Sequence, residues 1–191
     1  MRIIYLPLLF FLLSFTAFSQ PCGWSYSFTS SNATIAIQQD NFNNMQFLCW
    51  EPDSYESTPI STTSCPVWLG VFYTDDNGNL QCGGYTQWDN TQSFAIAAWG
   101  DDSTTPEKDG FTNQEIYIFK LCLNDEESYP MSINDGWYFE MLTEAPFSDS
   151  YSVNGFGNIT SINYETGYDC SDIVECNIDL KEYSEDKTLL K

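Results

Sequence analysis

The chain has 191 residues, with 27 Asp and Glu, six Lys and Arg and no histidine, so its formal net charge at pH 7 is −21. So few basic residues cannot form a cationic patch, which makes nucleic acid and anionic membranes poor partners. The lack of histidine excludes Ser-His-Asp and Cys-His catalysis and HExxH zinc sites. An enzyme of this composition would need carboxylates alone, or a metal held by oxygen ligands.

Residues 1–19, MRIIYLPLLFFLLSFTAFS, are predicted to form a secretory signal peptide. Arg2 precedes an apolar run from Ile3 to Leu13, and a small-x-small cleavage signal ends at Ser19. The run is shorter than the roughly 20 residues of a transmembrane helix. We therefore expect cleavage before Gln20, no transmembrane segment in the mature chain, and a secreted or outer-surface location.

Residues 20–168 are predicted to form one domain of short strands, because aromatic residues alternate with clusters of Gly, Asn, Asp and Ser. Glu115–Leu123 is apolar on both faces, as in a central strand covered twice. The fold class that this pattern predicts is an antiparallel β-sandwich, jelly-roll or Ig-like. The predicted strands outside the hairpin described next are Thr34–Gln38, with Ile35 and Ile37 on one face, Phe94–Trp99, Glu115–Leu123, Gly136–Leu142 and Asn158–Tyr164.

A hairpin is predicted over residues 72–85, FYTDDNGNLQCGGY. A two-residue type I′ turn at Asn77-Gly78 would pair Tyr73 with Cys82. Leu80 and Cys82 would then lie on the core face. An EF-hand alignment that starts at Asp75 fails, because a leucine stands where glycine is required. Asp75 and Asp76 are therefore interpreted as turn residues, with a looser metal site as the alternative.

Trp88 and Trp99 are candidate residues for stacking on sugar rings. Trp88 lies in the polar run TQWDNTQ and is the tryptophan expected to be most exposed. Large aromatic residues more often belong to the core of a small domain, and an exposed ring also suits a protein contact.

The acidic loop WGDDSTTPEKDGF, from Trp99 to Phe111, is a candidate calcium site. Asp101, Asp102 and Asp109 supply the carboxylate oxygens that Ca²⁺ prefers. The alternative is an ordinary strand connection, with an Asx turn at Asp102 and a turn at Asp109-Gly110.

Two glutamates in strand contexts, Glu115 and Glu140, could act as the carboxylate pair of a glycoside hydrolase. The sequence does not show that the two residues meet, and no catalytic residue is assigned.

The seven cysteines, in an exported chain, are expected to form disulfides, and no CxxC pair suggests zinc. The closest pairs are Cys49 with Cys65 and Cys170 with Cys176, and we expect these as staples. One cysteine is left over. It is either a free buried thiol or has a partner beyond Lys191.

The motifs VWLGVFYTDDNGNLQCGGYTQW, AIAAWGDD, DGF and VNGFGNI occur in an order that resembles a recurring extracellular domain of Bacteroidota surface proteins. The resemblance extends over about Trp24–Tyr164 and implies a β-rich module without established catalytic residues. EYSEDKTLLK is similar to the opening of the C-terminal sorting segment of type IX export. Residues 169–191 are accordingly interpreted as an acidic linker that leads into a sorting segment truncated at Lys191.

The function that this sequence predicts is a secreted or cell-surface, noncatalytic module for adhesion, surface assembly or ligand binding. A carbohydrate-binding module or a carboxylate-dependent glycoside hydrolase is the alternative. The partner would be an extracellular glycan or a surface protein, and Ca²⁺ is the one cofactor that the composition suits.

Overall fold

A computed structural model describes residues 23–51, 56–59, 67–89, 91–123, 126–130 and 138–169. Within these ranges the chain forms ten strands and one short 3-10 helix, Gln39–Asn44. The all-β class is therefore confirmed. The strands are β1 (Asn32–Ile37), β2 (Met45–Glu51), β3 (Glu56–Pro59), β4 (Val67–Thr74), β5 (Leu80–Gln87), β6 (Phe94–Trp99), β7 (Ile118–Leu123), β8 (Glu126–Pro130), β9 (Tyr138–Met141) and β10 (Phe156–Asp169).

The strands form two sheets. The four-stranded sheet has the order β5-β4-β7-β8 and is antiparallel throughout. The six-stranded sheet has the order β3-β2-β10-β1-β6, and β9 also pairs with β10.

The prediction of purely antiparallel pairing is wrong for the six-stranded sheet, because β1 and β2 both run parallel to β10. Strand β9 occupies the other side of β10 from Ile159 to Asn163. Therefore β1 and β2 lie one after the other along the same side of this 14-residue strand. The alternation of apolar and polar residues could not reveal the parallel pairing, since side chains alternate between the two faces with period two in parallel and antiparallel strands alike.

One hydrophobic core is built from residues of both sheets. Ile35 and Ile37 are fully buried, as the alternation of β1 predicts. In β6, Ile96 and Ala98 are buried, whereas Ala95 and Ala97 are exposed. The four-stranded sheet contributes Phe119 and Leu121 of β7 and four residues of β4 to the same core.

A second, smaller cluster covers the outer face of the four-stranded sheet. It contains Phe72, Cys82 and Cys122 of the sheet and Trp24 of residues 23–30, which we call the N-terminal arm. The prediction that Glu115–Leu123 is a central strand covered on both faces is confirmed for Ile118–Leu123, since β7 lies between β4 and β8 and both clusters contact it. Residues 115–117 precede the strand, and Ile116 is exposed.

The predicted two-residue turn at Asn77-Gly78 is wrong. The N–H of Asp75 donates to the carbonyl of Asn79 (2.8 Å), and Gly78 has a positive φ of 83°. This is a three-residue loop with glycine in the left-handed region. The carboxylate of Asp75 selects it, because Oδ1 accepts the N–H groups of both Asn77 (2.9 Å) and Asn79 (2.8 Å).

The longer loop shifts the register by one residue, so that Phe72 faces Cys82. A shift of one residue moves each side chain to the opposite face of a strand. Leu80 and Cys82 therefore belong to the outer cluster and not to the core face. A bulge after Val71 then restores the phase, and Gly70 pairs with Tyr85.

Two cysteines have side chains that the structure describes. Cys82 is a free buried thiol, which is one of the two outcomes expected for the unpaired cysteine. Cys122 is disulfide-bonded, and its partner is outside the described side chains. The predicted pairs Cys49–Cys65 and Cys170–Cys176, the signal peptide and residues 170–191 also fall outside them. No helix within the described ranges has the length and apolar character needed to span a bilayer.

Candidate ligand-binding surface

Five aromatic side chains form a continuous row that we call the aromatic strip. The row runs from Trp68 on β4 through Tyr85 on β5, then Tyr26 and Phe28 on the N-terminal arm, to Trp99 on β6. Successive ring centroids are 5.9, 5.3, 5.1 and 5.1 Å apart, and each contact is edge-to-face. The strip therefore connects the outer face of the four-stranded sheet to an edge strand of the six-stranded sheet.

The sequence of the N-terminal arm explains how its rings reach the strip. In Trp24-Ser-Tyr26-Ser-Phe28, aromatic residues alternate with serine, and an extended chain directs alternate side chains to the same side. Trp24 is buried and packs edge-on against Phe72 at 5.2 Å. At the other end, the Thr29 hydroxyl donates to the carbonyl of Gly100 (2.6 Å). The arm is thus fixed on both sides of Phe28.

Phe28 is the most exposed member of the strip, with 76% of its surface accessible. The other four rings are half-buried. Burial of a phenylalanine side chain would contribute about 1.5–3 kcal/mol, so a Phe held in solvent by its neighbours forgoes stability. An exposed ring that continues a row of half-buried rings makes this surface a candidate interaction site.

The segments that build the strip carry no charge, although the chain as a whole is strongly acidic. Residues 23–39, 67–74, 77–88 and 91–100 contain no Asp, Glu, Lys or Arg. Lys120 lies at the margin, with its Nζ 4.6 Å from the Phe72 ring centroid. Burial raises the pKa of Tyr26 and of Tyr85 above its ordinary value, so both phenols stay neutral.

Of the two tryptophans singled out from the sequence, Trp99 lies in the strip and Trp88 does not. The predicted exposure of Trp88 is wrong, because only 9% of its surface is accessible. Its ring packs against Phe47 at 4.9 Å, and also contacts Phe94 and Phe42. Such a buried ring cannot stack on a sugar. The polar residues after it form a turn in which Asp89 accepts two hydrogen bonds from Thr91.

One oxygen of each aspartate carboxylate in the acidic loop accepts hydrogen bonds from the loop itself. Asp101 Oδ1 accepts the N–H of Asp109 (2.9 Å), and Asp109 Oδ1 accepts the N–H of Asp102 (2.9 Å). Asp102 Oδ1 accepts the N–H and the hydroxyl of Thr104, and the N–H bond is the main cause of its lowered pKa.

Within the described ranges, no three acidic, cysteine or histidine side chains lie where they could hold a metal ion together. The structure therefore does not bring Asp101, Asp102 and Asp109 together as calcium ligands. Their geometry is that of the alternative interpretation, a strand connection with an Asx turn at Asp102.

Glu115 is part of the scaffold. Lys108 Nζ lies 3.0 and 2.8 Å from its two carboxylate oxygens, and the N–H groups of Thr74 and Thr112 donate to it at 2.8 and 2.9 Å. Burial acts to raise the pKa of Glu115, but these hydrogen bonds outweigh it and the pKa is lowered. A carboxylate held in its ionised form is a poor general acid. Glu140 is an exposed residue of β9.

Comparison of the chain with protein-family models, with curated proteins and with solved structures finds no match. The aromatic strip is therefore interpreted from its own geometry. Trp68 and Trp99 are among the tryptophans that the sequence offers for stacking, whereas Tyr26, Phe28 and Tyr85 were not predicted as members of a binding surface. The signal that could have revealed part of the strip is the alternation of aromatic residues and serine in the N-terminal arm.

Proposed function

We propose that the protein is a secreted or cell-surface, noncatalytic β-sandwich module that captures an extracellular ligand through the aromatic strip. The observation that carries this proposal is Phe28, an aromatic ring that the folded chain holds 76% exposed between two other rings. Tyr26 lies 5.1 Å away on one side and Trp99 5.1 Å away on the other. Capture of this kind serves adhesion or surface assembly.

The extracellular part of the proposal is supported by the sequence. The predicted signal peptide over residues 1–19, the seven cysteines and the resemblance of the motif order to Bacteroidota surface proteins all favour export. A jelly-roll or Ig-like sandwich stapled by disulfides is the fold that we propose for this setting.

A noncatalytic role is favoured over hydrolysis by the state of Glu115. Its carboxylate is paired with Lys108 at 2.8 Å and has only 16% of its side chain accessible. A residue engaged in this way stabilises the fold and is badly placed to transfer a proton to a substrate.

The experiment that tests the proposal is binding of the secreted protein to an array of immobilised glycans and extracellular proteins. We expect a signal that Phe28→Ala weakens and that the matched variant Ile116→Ala leaves unchanged, because Ile116 is 66% exposed but lies outside the strip. Products released from the array should be absent. Equal binding by Phe28→Ala and the unmodified protein, or release of sugar fragments, would refute the proposal.

A further inference from the structure

The outer face of the six-stranded sheet is open to solvent where β6, β1 and β10 lie side by side. Ile35 and Ile96 pair across β1 and β6 and are buried in the core, so the residues that alternate with them point outward. Phe156 of β10 pairs with the outward residue Thr34 and has 53% of its surface accessible. We call this surface the open face, and its outward positions are Ala95, Ala97 and Trp99 on β6, Asn32, Thr34 and Ala36 on β1, and Phe156 and Asn158 on β10.

The size of the outward side chains changes from one strand of the open face to the next. In register, Ala97, Thr34 and Phe156 form one row across β6, β1 and β10. The middle strand therefore has methyl groups on one side and an exposed ring on the other. When two copies meet face to face about a two-fold axis along β1, β10 of each copy lies over β6 of the other, and each Phe156 ring packs on alanines. The open face is thus complementary to itself, as a two-fold contact requires.

The open face carries no charge, although the chain as a whole has a net charge of −21. Strands β1 and β6 and residues 156–160 contain no Asp, Glu, Lys or Arg. Two copies of so acidic a chain repel each other, and like charges placed directly opposite would oppose contact further. The open face lets the copies meet without that cost. A cationic partner would be drawn instead to the carboxylates, which lie in other segments of the chain.

The area of the open face suits a weak dimer. Three strands about 4.8 Å apart, with six residues in β1 and in β6 and a rise of about 3.3 Å per residue, give a projected area of roughly 290 Å². Phe28, which contacts Trp99, and Leu142, whose N–H donates to Asn158, are exposed and extend the area at its margins. Interfaces that bury less than about 600 Å² on each partner are typical of weak association. We therefore expect a reversible dimer and not a permanent one.

Asn158 adds a polar group that a single copy leaves without a partner. It pairs with Ala36 and so belongs to the open face, but its side chain is buried and its Oδ1 accepts no hydrogen bond. A buried acceptor without a donor costs stability. A second copy brings the hydroxyl and amide groups of its own open face to this side of the sheet, and these groups can act as donors.

We infer that the open face is a self-association surface, through which two copies of this chain form a weak two-fold homodimer with β1 at the axis. The inference goes beyond the proposed function and does not depend on it. A dimer carries two aromatic strips, so its binding to a surface that displays many ligands gains avidity without any new contact.

The test is sedimentation velocity of the secreted protein over a concentration series from micromolar to near-millimolar. We expect a monomer–dimer equilibrium. Phe156→Ala should weaken the Kd of the dimer by about tenfold, because an aromatic ring packed within an interface contributes much of its energy. Ile116→Ala is the matched control, since Ile116 is 66% exposed and lies outside the open face, and it should dimerise as the unmodified protein does.

A pair of substitutions at Thr34 tests the two-fold geometry. Thr34 lies on the middle strand, so it meets its own counterpart near the axis. Thr34→Asp and Thr34→Lys should each be monomeric, because like charges face each other, and an equimolar mixture of the two should dimerise. Gln87→Asp and Gln87→Lys, at an exposed position of β5, are the control pair and should leave the Kd unchanged. Near-UV circular dichroism checks that each variant is folded.

The remaining outcomes separate this inference from the proposed function. A protein that stays monomeric at every concentration would overturn the inference, and so would a dimer that persists in Phe156→Ala and in both Thr34 variants. Neither result affects the proposed function, which is tested by Phe28-dependent binding to the array. Conversely, Phe156-dependent dimerisation together with array binding that ignores Phe28→Ala would support the inference and refute the proposed function alone.

Discussion

Glu115 is the residue that ties the acidic loop to the four-stranded sheet. Its carboxylate bonds to Lys108 and Thr112 within the loop region and to the N–H of Thr74 at the end of β4. The Nζ of Lys108 also donates to the carbonyl of Thr74. This bonding makes Glu115 a sensitive point for stability.

We predict that Glu115→Gln lowers the free energy of unfolding by about 1–3 kcal/mol, because the amide cannot replace the ion pair and leaves a largely covered Lys108 ammonium unpaired. Urea denaturation at pH 7 measures the change. Glu140→Gln is the matched control, since Glu140 is exposed, and it should stay within about 0.5 kcal/mol of the unmodified protein. Equal effects of the two substitutions would contradict the role assigned to Glu115.

The loss of stability caused by Glu115→Gln should depend on pH. The folded-state pKa of Glu115 is lower than its ordinary value of 4.5, so its carboxylate stabilises the fold above that pH. The contribution is lost as the pH falls below 4.5 toward the folded-state pKa. The stability difference between the unmodified protein and Glu115→Gln should therefore shrink between neutral and acidic pH.

The sequence predicted which residues need a contact or a charged partner, but it did not predict which residue provides it. The polar neighbours of Trp88 suggested exposure, yet Phe42 and Phe47, which help to bury it, are distant in the sequence. The carboxylates of the acidic loop suggested a cation, yet backbone N–H groups of the same loop occupy them. Local composition indicates which groups need a partner, and only the folded chain decides which partner is within reach.

At the scale of the elements, β5 and β6 approach each other closely where the two sheets meet. A Cβ atom added to Gly84 would lie 1.9 Å from the carbonyl oxygen of Ala97. That oxygen belongs to the backbone of β6, so it cannot rotate away as a flexible side chain would.

We predict that Gly84→Ala lowers the free energy of unfolding by about 2 kcal/mol or more, because the methyl group forces the two strands apart. Gly78→Ala is the control: nothing lies within 4 Å of its added Cβ, and only the positive φ opposes it. That conformation costs about 1 kcal/mol for alanine. Urea denaturation of both variants should rank Gly84→Ala as the more damaging, and the reverse order would show that the two strands separate easily.

The strands were more predictable than their connections. Strand β6 matches the predicted Phe94–Trp99, because its alternation is not interrupted. The predicted two-residue turn was wrong although Asn-Gly is a strong local turn signal. The carboxylate of Asp75 accepts two backbone N–H groups and selects a longer loop. The loop length thus depends on which hydrogen bonds form around the turn, and the two residues of the turn alone do not specify those bonds.

At the scale of the whole molecule, the sequence indicated an all-β domain but not the parallel pairing of β1 and β2 with β10. These pairs join strands from opposite ends of the described chain. Their contacts depend on how the sheets close around the core, and no local pattern specifies that closure.

The disulfide map tests the extracellular assembly as a whole. Nonreducing mass mapping of the secreted protein should find Cys49 joined to Cys65 and Cys170 to Cys176. With Cys82 free, Cys22 is the cysteine that these pairs leave for the disulfide of Cys122, and the map should find the two joined. Four free thiols at the two predicted pairs would refute the disulfide staples.

Cys82 should remain a thiol in the same preparation. Burial raises its pKa to about 12, so little thiolate exists at pH 8. Iodoacetamide should modify Cys82 slowly in the native protein and rapidly in urea, as read by peptide mass spectrometry. Rapid modification of the native protein would show that the outer cluster opens to solvent.

The net charge of −21 makes stability depend on ionic strength. Raising the salt concentration from 0.01 to 0.15 M shortens the screening length from about 30 to about 8 Å and weakens repulsion among the carboxylates. We therefore predict that NaCl raises Tm by a few degrees. Each kcal/mol gained in the free energy of unfolding corresponds to about 2–4 °C in Tm.

The acidic loop sets the expected response to calcium. Because the carboxylates of Asp101, Asp102 and Asp109 already accept hydrogen bonds from the loop, CaCl₂ and NaCl at equal ionic strength should give equal Tm values. Differential scanning fluorimetry of the unmodified protein and of Asp109→Asn provides the measurement. A larger rise with calcium, lost in Asp109→Asn, would mean that calcium binds the folded state and displaces these hydrogen bonds, contrary to the turn interpretation of the loop.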